Sequence, residues 1–211
     1  QTQEKDQEPV SIVADNATMG DFKVTEPAVL LVDEGSASAS EILAGAVNES
    51  GNVKLIGTKT FGKGTVQNVA AFNDKSELKI TIAKWLTPSG KWINEKGITP
   101  TIEVALPDYA NLLIIDGSKT YQLGDVSEEV KNLEKVLDAL GYSVDTIDGY
   151  FDEATQKAVS QFQIDKKLPV DGKVTGETAT QLVESLRKLI DENDTQYEAA
   201  IKELQATKSN D

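Results

Sequence analysis

Residues 28–32 read AVLLV, five apolar positions in a row, and residues 53–57 read VKLIG. Apolar runs of this length predict strands buried on both faces. Between them, residues 41–50 place Ile42, Leu43, Ala46 and Val47 on one helical face and end before Gly51. That is the spacing of an amphipathic helix with a glycine stop. Residues 28–57 therefore predict strand, turn, helix, strand: a βαβ unit. Further strands are expected at 10–14, 22–24, 66–69, 78–84 and 102–104, with a turn-like link over 15–20.

After about Asp116 the pattern changes to a helical period. Residues 127–140 carry Val130, Leu133, Val136, Leu137 and Leu140, between Ser127 and Gly141, which suit an N-cap and a C-terminal stop. A repeat of period 23 follows: Asp148-Gly149 returns as Asp171-Gly172, Phe151 as Val174, Thr155 as Thr178 and Val159 as Leu182. Each Asp-Gly predicts a turn, and each following stretch an amphipathic helix. Two copies are too few for a solenoid, so a small all-α three-helix module is expected. Residues 195–205 form a charged tail helix with Tyr197, Ala200, Ile201 and Leu204 along one side, a face suited to self-association. The expected divisions are 1–116 (α/β), 117–190 (three-helix module) and 191–211 (tail helix and tail).

Charge narrows the function. The net charge is −14. Residues 1–116 carry 10 basic and 16 acidic side chains, and residues 117–211 carry 11 and 19. Neither half offers the basic face that nucleic acid or an anionic membrane requires. No apolar run approaches a membrane span. Cysteine and histidine are both absent, which removes disulfides, thiolate ligands, the usual zinc ligand and the usual general base. No cofactor or metal is expected, and any base must be Lys, Asp, Glu or Tyr. The opening stretch, from Gln1 to Gly20, has a loop's polarity and then enters a strand pattern, as the middle of a longer protein does.

Two short stretches carry candidate chemistry. In GSASASEI, residues 35–42, a small-residue turn joins a buried strand to a helix. Such a turn exposes one side chain above a sheet, with the unpaired N–H groups of the helix behind it. Serines that merely cap a helix are the other reading. In TFGKGTVQ, residues 60–67, Lys63 lies between two glycines. A lysine serves as a base only when burial and neighbours keep it neutral; a solvated lysine in a surface turn is the other reading. Phe61 and Val66 would supply the apolar cover. A phosphate loop fails at its eighth position, where Gly64 replaces the Ser or Thr, and the sequence then continues as a strand. Asp145, Asp148 and Asp152 do not follow calcium-loop spacing; a turn and a helix cap explain them.

Taken together, GSASASEI and TFGKGTVQ resemble the signature of the C-terminal processing peptidases, the tail-specific serine proteases of family S41. Residues 80–104 (ITIAKWLTPSGKWINEKGITPTIEV) also resemble that family's strand pair. The resemblance implies that Ser38 is the nucleophile and Lys63 the base, at the separation typical of the family. It further implies that Gln67 orients the lysine and the Ala39 N–H contributes to the oxyanion hole. The family's PDZ domain, which captures substrate C-terminal tails, and an upstream glycine-rich strand-loop have no counterpart in these residues. The resemblance therefore implies the C-terminal part of an α/β peptidase core, partnered by an N-terminal PDZ part. Residues around Val130, Leu133, Leu140-Gly-Tyr142, Asp148-Gly-Tyr-Phe151, Phe162-Gln163 and Asp171-Gly-Lys-Val174 resemble a peptidoglycan-binding-like module, which implies peptidoglycan or a homodimer as a partner. A bacterial extracytoplasmic protein, secreted or membrane-anchored in the cell envelope, acting on protein C-terminal tails, is the combined expectation.

Overall fold

The computed structural model describes residues 1–21 and 23–208. They form two compact units: residues 1–105 together with the chain from Thr195 onward, and residues 106–194. The divisions thus fall at 105/106 and 194/195, against the sequence expectation of 116/117 and 190/191.

The first unit holds two small sheets. In one, β1 (Thr2–Glu4), β5 (Glu77–Trp85) and β4 (Thr65–Ala71) pair antiparallel in the order β1-β5-β4. In the other, β2 (Val29–Val32), β3 (Lys54–Gly57) and β6 (Ile102–Glu103) pair parallel in the order β2-β3-β6. Helix α2 (Ala39–Gly51) connects β2 to β3 and so makes a βαβ crossover. β3 is the central strand, and its Leu55 and Ile56 are fully buried. β2 has a strand on one side only, and Leu31 remains 42% exposed. The AVLLV run is therefore not buried on both faces: successive side chains alternate, so Leu30 and Val32 meet the core while the face carrying Leu31 is left partly uncovered. Val32, Ala44 and Leu55 form a small core, with Leu30 and Ile98 against it.

Three local expectations differ from the structure. Over residues 10–14 only Val10 enters a ladder, as an isolated bridge to Thr2, and the following residues are exposed. Among the described residues no second strand lies there to satisfy their backbone groups. Residues expected as a link contain one helical turn, α1 (Asn16–Met19), whose Met19 N–H donates to Asp15 O at 2.8 Å. Of the strand expected at 22–24, Phe22 lies outside the described residues, and Lys23 and Val24 are irregular.

The C-terminal helix α6 (Thr195–Lys208) packs on β2 and β3. Thr195 Oγ1 donates to Ala105 O at 2.6 Å, and Gln196 Nε2 donates to Val104 O at 3.0 Å. Ala200 is buried, and Glu203 pairs with Lys54. Part of the apolar side read as a self-association face is thus occupied within the unit. Among the described residues no helix is long and apolar enough to cross a membrane.

The second unit is a bundle of α3 (Glu128–Ala139), α4 (Glu153–Asp165) and α5 (Gly176–Glu192). Its core gathers Val130, Leu133, Leu137, Phe151, Val159, Phe162 and Leu182, all fully buried; each such side chain contributes about 1.5–3 kcal/mol by leaving water. Ser127 Oγ accepts from Val130 N–H at 3.1 Å and Asp152 Oδ1 from Thr155 N–H at 2.8 Å, so both helices begin at capping side chains. The repeat survives in space. Asp148 and Asp171 each accept from the N–H two residues on, and Gly149 and Gly172 both adopt positive φ, 91° and 66°. Each turn is then tied to a helix behind it. Gly172 N–H donates to Gln163 Oε1 at 2.9 Å, and Gly149 N–H donates to Glu134 Oε2 at 2.9 Å. Glu134 is fully buried, and its Oε1 has no hydrogen-bond partner.

Candidate active site

The site is built where β2 turns into α2. Ser36 Oγ donates to Asp33 Oδ1 at 2.8 Å and accepts from Asp33 N–H at 3.1 Å, which closes the turn. Ser38 then adopts φ 57° and ψ −112° at the N-cap of α2. A non-glycine residue held at positive φ costs on the order of 1–3 kcal/mol and persists only where its surroundings impose it. Its carbonyl accepts from Glu41 and Ile42, both at 3.0 Å, and so starts the helix. The Ala39 N–H has no acceptor among the described residues.

Lys63 arrives on a loop whose backbone N–H groups are all satisfied. From Thr60 to Gly64 every N–H has an acceptor: Ile98 O, Ser36 O, Glu41 Oε1, Glu41 Oε2 and Asn94 Oδ1 in turn. Both tryptophans of the chain hold its carbonyls. Trp85 Nε1 donates to Lys63 O at 2.8 Å, and Trp92 Nε1 donates to Gly64 O at 2.9 Å. The flanking glycines are required, but by the 93–97 segment rather than by the serine turn. A Cβ at Gly62, where φ is 90°, would lie 2.7 Å from Gly97 N, and one at Gly64 would lie 2.7 Å from Asn94 N. Phe61, expected to cover the lysine, is 65% exposed instead, and its N–H donates to Ser36 O at 3.0 Å.

Glu41 joins the two loops. It is fully buried and accepts four hydrogen bonds. Oε1 takes Thr60 Oγ1 at 2.6 Å and Gly62 N–H at 2.7 Å; Oε2 takes Ser38 N–H at 2.9 Å and Lys63 N–H at 2.8 Å. A carboxylate satisfied at four donors in a dry site is a strong and directional anchor. In the sequence pattern Glu41 has no role beyond opening the helical stretch of residues 41–50. The signal available there was the position three residues after the strained serine, where an acid reaches back to the N-cap N–H.

The expected site residues are therefore brought together unequally. Ser38 and Lys63 share an anchor through their backbones, and both residues are half-buried. No hydrogen bond joins Lys63 Nζ to Ser38 Oγ or to Gln67 among the described residues. Gln67 is exposed on β4, immediately after a bulge at Val66/Gln67; a bulge re-aims the side chain that follows it.

Comparison with known proteins now bears on this geometry. Peptidase family S41 matches residues 1–104, and a putative peptidoglycan binding domain matches residues 126–182. Carboxy-terminal processing protease CtpA of Bacillus subtilis (strain 168) is 50% identical over 182 residues, covering 86% of this chain and 39% of that protein. CtpB of the same organism is 40% identical over 185 residues, covering 86% and 38%. The chain therefore spans well under half the length of these relatives. A solved photosystem II D1 C-terminal processing protease overlaps 39% of this chain and 22% of its own at 42% identity and TM-score 0.36. The chain belongs to peptidase family S41 through residues 1–104, and it carries a putative peptidoglycan binding domain over residues 126–182.

Proposed function

We propose that this chain supplies the nucleophile and base of a C-terminal processing serine endopeptidase that works through a Ser–Lys dyad. The observation that carries the reading is the convergence of the strained Ser38 turn and the Lys63 loop on Glu41. In this reading Ser38 Oγ attacks the scissile carbonyl carbon, and its proton passes to the uncharged Lys63 amine. The unpaired Ala39 N–H at the start of α2 stabilises the oxyanion. The C–N bond breaks as Lys63 returns the proton to the leaving amine, and water then releases the acyl group from Ser38. Gln67 turns towards Lys63 when substrate is bound and orients its amine. Substrates are proteins presenting a C-terminal tail, and an upstream PDZ part delivers them. Similarity to carboxy-terminal processing proteases supports that activity, and the second domain supports a place in the bacterial cell envelope.

Cleavage of a model protein substrate tests the dyad. Ser38→Ala and Lys63→Ala are each expected to abolish it, and parent-rate cleavage by either variant overturns the assignment. A second reading, a binding or scaffold piece with a wall-binding or dimerisation module, is favoured by the lack of a Lys63–Ser38 hydrogen bond. Sedimentation with purified sacculi tests the wall-binding role: the Ser38→Ala chain is expected in the pellet, and recovery of all of it in the supernatant, as a dimer, favours self-association.

A further inference from the structure

The second unit contains an apolar cleft that neither domain assignment accounts for. It encloses about 180 Å³ between residues 110–115 and helices α3 and α5, and Ile115, Val136, Val183, Leu186 and Ile190 line it. At its lip, Leu113 and Ile114 are 72% and 71% exposed. This exposure is not fraying. Leu113 N–H donates to Asn132 Oδ1 and Leu113 O accepts from Asn132 Nδ2, both at 2.9 Å, so α3 fixes the lip in place. Arg187 also lines the cleft. It is the only arginine in the sequence, and it has no acidic partner among the described residues.

We propose that this cleft binds the C-terminal residue of a peptide chain, its apolar side chain in the cavity and its free carboxylate on Arg187. The volume suits one aliphatic or aromatic side chain, and dry apolar cavities of this size take up such groups. The guanidinium fork matches a carboxylate with two parallel hydrogen bonds. A held lip that keeps two large apolar side chains in water marks a surface awaiting a partner. The proposal rests on the peptidase reading: it gives the carboxyl end of a substrate or product a foothold on the second unit.

The test is fluorescence anisotropy of the full chain carrying Ser38→Ala, so that nothing is cleaved. The probe is a fluorescein-labelled hexapeptide ending in Ala-Leu with a free carboxylate. Amidating that carboxylate, or introducing Arg187→Gln, is expected to weaken binding by about tenfold or more, the loss of a charged hydrogen-bonded pair. Unlabelled decanoate is expected to compete poorly. Equal binding of the amidated probe, an unaffected Arg187→Gln variant, or no binding by the parent each overturns the proposal. Binding of decanoate without binding of the peptide also overturns it, in favour of an acyl ligand. Failure of the dyad would appear separately, as undiminished cleavage by Ser38→Ala.

Discussion

The backbone N–H groups of Ser38 and Lys63, which lie on different loops, converge on a single oxygen, Glu41 Oε2, at 2.9 and 2.8 Å. The proposed nucleophile and base are thereby held by a third, buried group that takes no part in the proposed proton transfer. Glu41→Gln replaces one acceptor oxygen with a donor that, whichever way the amide turns, faces at least one backbone N–H. We expect kcat to fall by about 10²-fold with KM little changed, because a small displacement of reacting groups costs that much. Stability should drop by about 3 kcal/mol through the broken buried network. Parallel kinetics and thermal melts check this; an unchanged kcat in a folded variant removes Glu41 from the positioning role.

Ser38 separates strain from chemistry. Its φ of 57° suits glycine better than any side chain. Ser38→Gly should therefore melt higher than Ser38→Ala, by about 1 kcal/mol, while both fail to cleave. Equal melting of the two variants would show that the turn is not strained.

The Lys63 loop is expected to tolerate no side chain at Gly62. A Cβ there would meet the backbone nitrogens of Gly97 and Lys96 at 2.7 and 2.9 Å, and backbone cannot give way as a side chain can. Gly62→Ala should cost on the order of 2 kcal/mol or more and change the emission of Trp85 and Trp92, whose indoles bond the next two carbonyls. Unaltered emission and melting would show that the loop has slack.

Glu134 makes the second unit sensitive to pH. Burial holds its carboxyl above the ordinary value of 4.5, and the charges of Asp148 and Asp152 push the same way, against the bond from Gly149 N–H. The folded state therefore binds this proton more tightly than the unfolded chain. The stability this contributes is complete below pH 4.5 and is lost as pH rises through the folded-state value. Glu134→Gln reproduces the neutral amide already present at Gln163 and should remove that dependence, raising the unit's stability near pH 7 above the parent's. Melts of both proteins from pH 4 to 8 check this; parallel curves would mean that Glu134 is not desolvated.

Much of this was written in local pattern. The helical period after Asp116, the Asp-Gly repeats and the strand-helix-strand spacing over residues 28–57 depend on near neighbours in the chain. Their elements appear at α3 to α5 and at β2, α2 and β3. The GSASASEI stretch likewise marked the turn between β2 and α2, since such a turn is a local property, whereas the roles of Ser38 and Lys63 were implied only by the family resemblance. Where partners lie far along the chain, sequence pattern had no purchase. Residues 10–14 look like a strand, yet only Val10 finds a partner. Leu31 reads as core but sits on an edge strand. The apolar side of the tail helix reads as a self-association face, yet the helix packs on β2 and β3, which belong to the first third of the chain.

By itself, then, the sequence determined the helical periods, the turn chemistry and which residue types were available for catalysis, because propensity and spacing act over a few residues. Tertiary structure alone decided that one buried carboxylate, Glu41, would gather Ser38, Thr60, Gly62 and Lys63, and that Trp85 and Trp92 would hold the lysine loop from behind. Those bonds form only when distant segments meet away from water, where an unpaired N–H or carboxylate is too costly to leave.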